Sequence, residues 1–452
     1  MEKIGLDTVK IVREQGEDWL YWGEYNLIFK YSKELEKRIS KIQCGRSNDC
    51  GIEQSSDTLI NTINEIAVRK AERQNCLTIS KKDEWEGERK LRGALLEVSN
   101  DCNLRCIYCY GQGGSYGSSR QLMKEEVLIK SLEYCFQRFE PNQKISIIFF
   151  GGEPLINYQL IIKAVDMIND FAERNGNTVS YGITTNGTVL NDDIVKLFKH
   201  NKFKVTVSID GGEIIQNKNR PFPHGDGSFG LIKRNVNVML QNNISLIARI
   251  TLTKPYIKDL KKSVEDIWEM GINNVTFETV SSTESELNLT EDDLVEFQHQ
   301  LQSLTDITYN NIKNKGQRRL RKIIDYARDI HTVKLGQTCS YNSKRAVVIS
   351  SCGELYRCHR LLERQGFCVG DVINGIEWEK YISDGNLERD CKSCWAKNIC
   401  TRCAHENYTY TGELEKPDSF HCELKKAVME EAIKMYIKLK MAEDIDIESV
   451  LT

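Results

Sequence analysis

Three thiols fall within Cys102-Asn103-Leu104-Arg105-Cys106-Ile107-Tyr108-Cys109, directly behind an apolar run, Ala94 to Val98, that reads as a strand. Cysteines spaced x3 and x2 suit an iron–sulfur cluster with one iron left clear of protein thiolate, whereas a structural zinc needs a fourth, closing ligand. An iron left open is a place for a cofactor. A second concentration lies downstream, where nine of the sixteen cysteines fall between Cys339 and Cys422. They run Cys339-x13-Gly353-x4-Cys358, then Cys391-x2-Cys394-x5-Cys400-x2-Cys403, then x18-Cys422. Cys-x2-Cys pairs also build zinc ribbons, but ribbon pairs stand about a dozen or more residues apart, and the link from Cys394 to Cys400 is short. A disulfide framework is the weaker account, because the chain starts without the apolar core of a signal peptide and a reducing cytoplasm is expected.

The first triplet, with Tyr108 ahead of its last cysteine, resembles the cluster loop of the radical S-adenosylmethionine (radical SAM) enzymes. The resemblance implies a [4Fe–4S] cluster on Cys102, Cys106 and Cys109 whose free iron chelates SAM, and reductive cleavage to a 5′-deoxyadenosyl radical. It extends to four later stretches. Gly151-Gly152-Glu153-Pro154 matches the family's GGEP motif, which contacts the SAM methionine amine. Thr184-Thr185-Asn186-Gly187 and Ser208-Ile209-Asp210-Gly211 resemble its ribose-contacting strand ends, and Arg249 matches an arginine that pairs with the SAM carboxylate. The downstream cysteines resemble the SPASM extension of the same enzymes, which holds two auxiliary [4Fe–4S] clusters. That pattern assigns Cys339, Cys358 and Cys403 to one and Cys391, Cys394, Cys400 and Cys422 to the other, three clusters in all. The chain departs from it in one place, with two residues, Thr401 and Arg402, where the family usually has three. Cys352 and Cys368 are candidates for a missing fourth ligand of the first auxiliary set; the expectation is that neither closes it, since a turn residue beside Gly353 points to solvent. The Pro/Gly-rich stretch Arg220 to Phe229 resembles a loop of the peptide-modifying branch and equally suits a plain loop at the barrel mouth.

Alternating elements must position these residues. Strands are expected at 94–99, 145–150, 178–184, 203–209, 245–252 and 273–278, and helices at 123–138, 157–174, 190–200, 229–242 and 257–270. Six βα units make a parallel, partly open (β/α)6 barrel, and ligands of such sheets gather at the C-terminal strand ends, where the quoted polar residues fall. Residues 287 to 335 read as two charged helices, and Ala427 to Met441 as a terminal helix with a packing face.

Ahead of the barrel, residues 1–85 read as a small domain similar in order and size to the winged-helix peptide-recognition element of enzymes that modify ribosomally made peptides, with a structural cap on the barrel as the other reading. It comprises a hairpin over Trp19 to Phe29, helices over Lys33 to Ile42 and Ser56 to Asn75, a loop carrying Cys44 and Cys50, and then a charged linker at 81–92. Such a sheet binds a leader peptide by strand addition. The division is therefore 1–85, a barrel with connecting helices at 86–335, and an auxiliary-cluster domain at 336–452. At 452 residues and 40% hydrophobic content the chain can build several cores. Its net charge of −3, from 62 basic and 65 acidic residues, argues against a nucleic-acid or anionic-membrane binder.

The function expected from the resemblance is that of a radical SAM/SPASM maturase acting on a cysteine-containing precursor peptide with a leader segment, supplied with electrons by a donor such as flavodoxin or ferredoxin. The preferred product is a thioether from a cysteine thiol to a carbon atom. Formylglycine formation, as in sulfatase maturation, and carbon–carbon crosslinking are alternatives within the class. A non-catalytic iron–sulfur or zinc scaffold is the alternative outside it.

Overall fold

A computed structural model of the chain describes residues 8–36, 39, 90–282, 285–334, 339, 345–377 and 389–451. An antiparallel meander comes first: β1 (Val9–Glu14), β2 (Glu17–Trp22) and β3 (Leu27–Lys30), with Val9 opposite Trp22 and Trp22 opposite Leu27. The expected hairpin is present as β2 and β3, and β1 adds a strand the sequence reading did not assign. The helix over Ser56 to Asn75, the Cys44–Cys50 loop and most of the 81–92 linker lie outside the described residues.

Six parallel strands then form in the expected places: β4 (Gly93–Ser99), β5 (Lys144–Gly151), β6 (Thr178–Thr185), β7 (Lys204–Ser208), β8 (Leu246–Leu252) and β9 (Asn274–Thr279). They pair in sequence order. Crossover helices α1 (Glu125–Phe136), α2 (Tyr158–Asn175) and α3 (Asp192–His200) cover one face, each burying an apolar stripe at helical spacing. In α2 that stripe is Ile161, Ala164, Val165, Ile168 and Ala172, and the helix stops at Gly176, whose φ of 68° is the left-handed cap glycine favours. Helix α3 starts on the Asn191 side chain, which accepts the Ile194 N–H at 2.9 Å. The short α4 (Glu213–Asn219) was not foreseen; α5 (Phe229–Gln241), α6 (Leu260–Glu269), α7 (Leu294–Lys313) and α8 (Arg321–His331) were. A two-residue strand, β10 (Arg319–Leu320), joins parallel beside β9.

On the opposite edge the sheet does not stop at β4. Strand β11 (Ala346–Ile349) pairs parallel with it, from Ala346 opposite Gly93 to Ile349 opposite Leu96. Then β12 (Glu354–Tyr356), β13 (Cys368–Asp371) and β14 (Gly375–Ile376) add antiparallel strands, giving one eleven-stranded sheet among the described residues. Barrel and C-terminal segment thus share a sheet, and Glu97 ties them again by accepting the Ser351 N–H at 3.1 Å. After α9 (Ala404–Thr411), α10 (Ser419–Met441) starts on the Asp418 side chain, eight residues ahead of the expected Ala427, and so takes in Cys422. Its face packs on the meander: Val12, Tyr21 and Ile28 share a core with Ala396, Met429 and Ile433. No helix among the described residues is long and apolar enough to cross a membrane.

Candidate active site and its thiol sets

The loop after β4 holds Cys102, Cys106 and Cys109 half-buried around one cavity. Donors surround the sulfurs. Leu104 N–H and Asn186 Nδ2 donate to Cys102 Sγ at 3.4 and 3.7 Å, Gly113 N–H donates to Cys109 Sγ at 3.3 Å, and Arg220 Nη1 stands 4.0 Å from Cys106 Sγ. Burial, reinforced by neighbouring anionic groups, pushes the Cys102 thiol up to about 12 and the Cys106 thiol to about 11. Thiols held apart from water beside N–H donors and a guanidinium suit a thiolate-bound cluster, whose binding supplies the energy to release their protons. The neighbouring backbone fits the same purpose. A Cβ on Gly114, at φ +98°, would lie 2.8 Å from the Asp101 carbonyl carbon and 2.9 Å from the Gly152 Cα, so only glycine allows these loops to close.

The cavity collects most of the residues singled out in the sequence: Tyr108 from the thiol loop, Gly151 and Gly152 at the end of β5, Thr185 and Asn186 at the end of β6, Ser208 as the last residue of β7, and Arg249 on β8. Glu153 and Asp210 stand behind its wall. Glu153 is fully buried; its Oε1 accepts from Leu155 N–H (3.0 Å) and Thr185 Oγ1 (2.8 Å), and its Oε2 from Asn186 N–H (2.6 Å). Burial pushes its carboxyl up to about 7 against those three bonds.

Asp210 is a hub. Its Oδ1 accepts from Arg220 Nη2 (3.0 Å) and Thr251 N–H (2.9 Å), and its Oδ2 from Asn219 Nδ2 (3.1 Å) and the Tyr108 hydroxyl. Tyr108 and Arg220 thereby lock the thiol loop to the ends of β7 and β8, and the backbone adds Ile107 N–H to Asn219 O (3.0 Å) and Arg105 N–H to Pro221 O (2.8 Å). Arg220 opens the loop that resembles the peptide-modifying branch, yet no sequence signal assigned its side chain a partner.

The C-terminal thiols fall into two groups. Cys358 lies within electrostatic reach of Cys403 and Cys339, while Cys422 faces Cys400 and Cys391, and Cys394 faces Cys400. The short Thr401-Arg402 link is accommodated by a left-handed Arg402, φ 44°, whose Nη2 donates to Lys397 O at 2.9 Å and whose N–H donates to Cys400 Sγ at 3.4 Å. Cys352 is exposed and accepts from Gln121 Nε2 at 2.7 Å; Cys368 donates to Gly370 O at 3.2 Å. Among the described residues, no group of three or more His, Cys, Asp or Glu side chains is placed to hold a single metal ion.

Between the two regions runs a set of partly buried ionisable side chains, of which the sequence announced Arg249 alone. Arg249, Glu278, Arg360 and His405 line the cavity. Burial disfavours the Glu278 carboxylate, but Lys322 at 2.8 Å, with Arg249 and Arg360, outweighs it and holds the group down at about 2. Burial and the Arg360 charge push His405 down to about 3, and neither of its ring nitrogens has a partner. Glu406 takes Lys425 at 2.5 Å and Arg360 at 3.8 Å.

The family model described as the radical SAM superfamily matches residues 96–280. A cysteine-type anaerobic sulfatase-maturating enzyme of Clostridium novyi is 34% identical over 150 residues, covering 31% of this chain and 38% of that enzyme. Among solved structures, anSMEcpe with bound AdoMet and Cp18Cys peptide superposes with a TM-score of 0.65 at 20% identity, covering 76% of this chain and 97% of that one. Streptococcus suis SuiB bound to precursor peptide SuiA superposes with a TM-score of 0.53 at 12% identity, covering 91% and 98%. At these identities the two structures speak to the fold.

Proposed function

We propose that this chain, whose residues 96–280 match the radical SAM superfamily, modifies a ribosomally made peptide, forming thioethers from cysteine thiols to carbon atoms of acceptor residues. The observation that carries the thioether reading is the three-thiol set. Cys358 and Cys403 each lie two residues ahead of a cavity-lining side chain, Arg360 and His405. Cys339, Cys358 and Cys403 are one sulfur short of a closed four-thiolate set, so a substrate cysteine can stand as the fourth beside the cavity.

Cys102, Cys106 and Cys109 would hold a [4Fe–4S] cluster, which with SAM would supply the chemistry of hydrogen-atom abstraction. Arg249 is the partner for the SAM carboxylate, and Thr185, Asn186 and Ser208 offer bonds to its ribose. Gly151 and Gly152 let the backbone approach closely, while Glu153, Tyr108 and Asp210 hold the wall in register. Exchanging one S–H and one C–H bond for one C–S bond releases a hydrogen atom, a proton and an electron, so a one-electron acceptor must accompany the abstractor. Cys391, Cys394, Cys400 and Cys422 would hold the second auxiliary centre. The meander offers the β3 edge, which among the described residues pairs with β2 alone, for addition of a leader strand. An external one-electron donor of the flavodoxin or ferredoxin kind completes the system.

The 34%-identical sulfatase-maturating relative favours a second reading, formylglycine formation. The two separate cleanly. With SAM, a reductant and a cysteine-containing peptide, the expected product is two hydrogens lighter and no longer alkylated by iodoacetamide, whereas an aldehyde captured by a hydrazide would establish the second reading. The Cys102→Ala/Cys106→Ala/Cys109→Ala variant should make no 5′-deoxyadenosine. Cys352→Ala and Cys368→Ala should keep iron and activity, and a cysteine peptide should perturb an auxiliary EPR signal that its serine analogue leaves alone. Equal perturbation by both peptides would count against the three-thiol argument.

A further inference from the structure

Lys425 occupies an unusual position. It follows Cys422 by less than one turn of α10, so the helix that carries a thiol of the four-cysteine set also fixes this ammonium. Its Nζ is 2.5 Å from Glu406 Oε2, and its charge reaches the sulfurs of Cys400 and Cys403, which stand on either side of the Thr401-Arg402 link and belong to different thiol sets. The next lysine, Lys426, faces Cys394 and Cys422 of the four-cysteine set and pairs with Glu423 at 2.9 Å. Glu406, itself buried, has Arg360 on its other side, and Arg360 faces Cys403 and the cavity. Two cations around one carboxylate leave a surplus positive charge among seven thiols. That surplus is the chemistry expected around clusters whose thiolates carry negative charge, and it fits both C-terminal sets to such groups.

We propose that Lys425 is a cation shared by the two C-terminal centres that sets the reduction potential of both, and that Glu406 and Arg360 position it. The inference rests on the iron–sulfur reading of these thiol sets given above. A fixed positive charge close to a cluster stabilises the form carrying the additional electron, so it raises the potential; a carboxylate in the same place opposes it. Because Cys400 and Cys403 are only three positions apart, one ammonium can act on both centres, and their potentials move together.

The test is an anaerobic redox titration of the loaded full-length protein followed by EPR, with iron and sulfide analysis of each sample. Lys425→Met is expected to lower the midpoint of both auxiliary signals, Lys425→Arg to restore them, and Glu406→Gln to raise both, with the SAM-binding cluster unmoved throughout. Opposite shifts for Lys425→Met and Glu406→Gln are the signature, since a packing defect would not reverse sign. Midpoints that stay put at full iron content, a shift in one centre only, or a fall in Glu406→Gln would overturn the proposal. If Lys425→Met sheds iron, Lys425→Arg and Glu406→Gln decide the matter. Wild-type protein holding about four irons per chain rather than about twelve would refute the auxiliary-cluster reading and this inference with it. Twelve irons with unmoved potentials would refute this inference alone.

Discussion

Asp210 accepts from four donors drawn from three stretches of chain, and Arg220 is the one full charge among them. With 8% and 1% of their side chains exposed, the pair is buried, so removing one partner strands the other. Arg220→Ala should cost on the order of 3–5 kcal/mol in urea unfolding, and Arg220→Lys clearly less, because the charge is kept. Glu97 gives the second prediction at this scale. Burial first, then Glu363 and Glu354, push its carboxyl up to about 8 against the pull of the Ser351 N–H. The folded pKa lies above the unfolded value of 4.5, so the stability it contributes is present below about pH 4.5 and lost as pH rises through about 8. The slope is at most about 1.4 kcal/mol per pH unit. Stability curves of wild type and Glu97→Gln should therefore diverge across that window and run parallel above it. The thiols and strand-end residues could be read from sequence because their spacing is local. Arg220, Arg360, His405 and Lys425 could not, because their meaning lies in partners that only the fold brings near.

At the scale of elements, the barrel strands were legible to within a residue or two, since buried apolar residues alternate with more exposed ones along them, as in Lys204–Ser208 and Leu246–Leu252, and so write a two-residue period. The seven-residue α4, EIIQNKN, carries no such stripe and was missed, and the two- to four-residue strands β11 to β14 are too short for periodicity to show. The meander was read as a module of its own, but it is seated on the C-terminal segment. Gly23 lies so close to Trp395 that a Cβ would run into that residue's carbonyl oxygen; Asn398 Nδ2 donates to Gly23 O at 2.7 Å and Lys397 pairs with Glu24. Gly23→Ala should therefore lift β1 to β3 from the 394–400 loop at a cost of about 1–3 kcal/mol. Hydrogen exchange should quicken in the meander and in that loop together. Quickening in the meander alone would show that the two are not mechanically joined.

At the scale of the whole molecule, barrel and C-terminal segment share one eleven-stranded sheet among the described residues, and β4 is its seam. The residues that close the β4 edge come late: the Ser351 N–H reaches Glu97 across 254 residues. On a ribosome adding about 5–20 residues per second, that edge waits on the order of 10–50 s with its hydrogen-bonding groups unsatisfied. An open strand edge beside an apolar core is a template for pairing with another chain. A chain ending at residue 335 should accordingly sediment with aggregates, whereas a monodisperse truncation would show that the barrel closes without β11. The same timing fixes the order of assembly. The Cys102 loop has left the ribosome long before the strand that completes its sheet exists, so a nascent chain presents Cys102, Cys106 and Cys109 on an unfinished scaffold. Were the proposed cluster delivered during synthesis it would meet a half-built site, so its loading is expected on the completed fold.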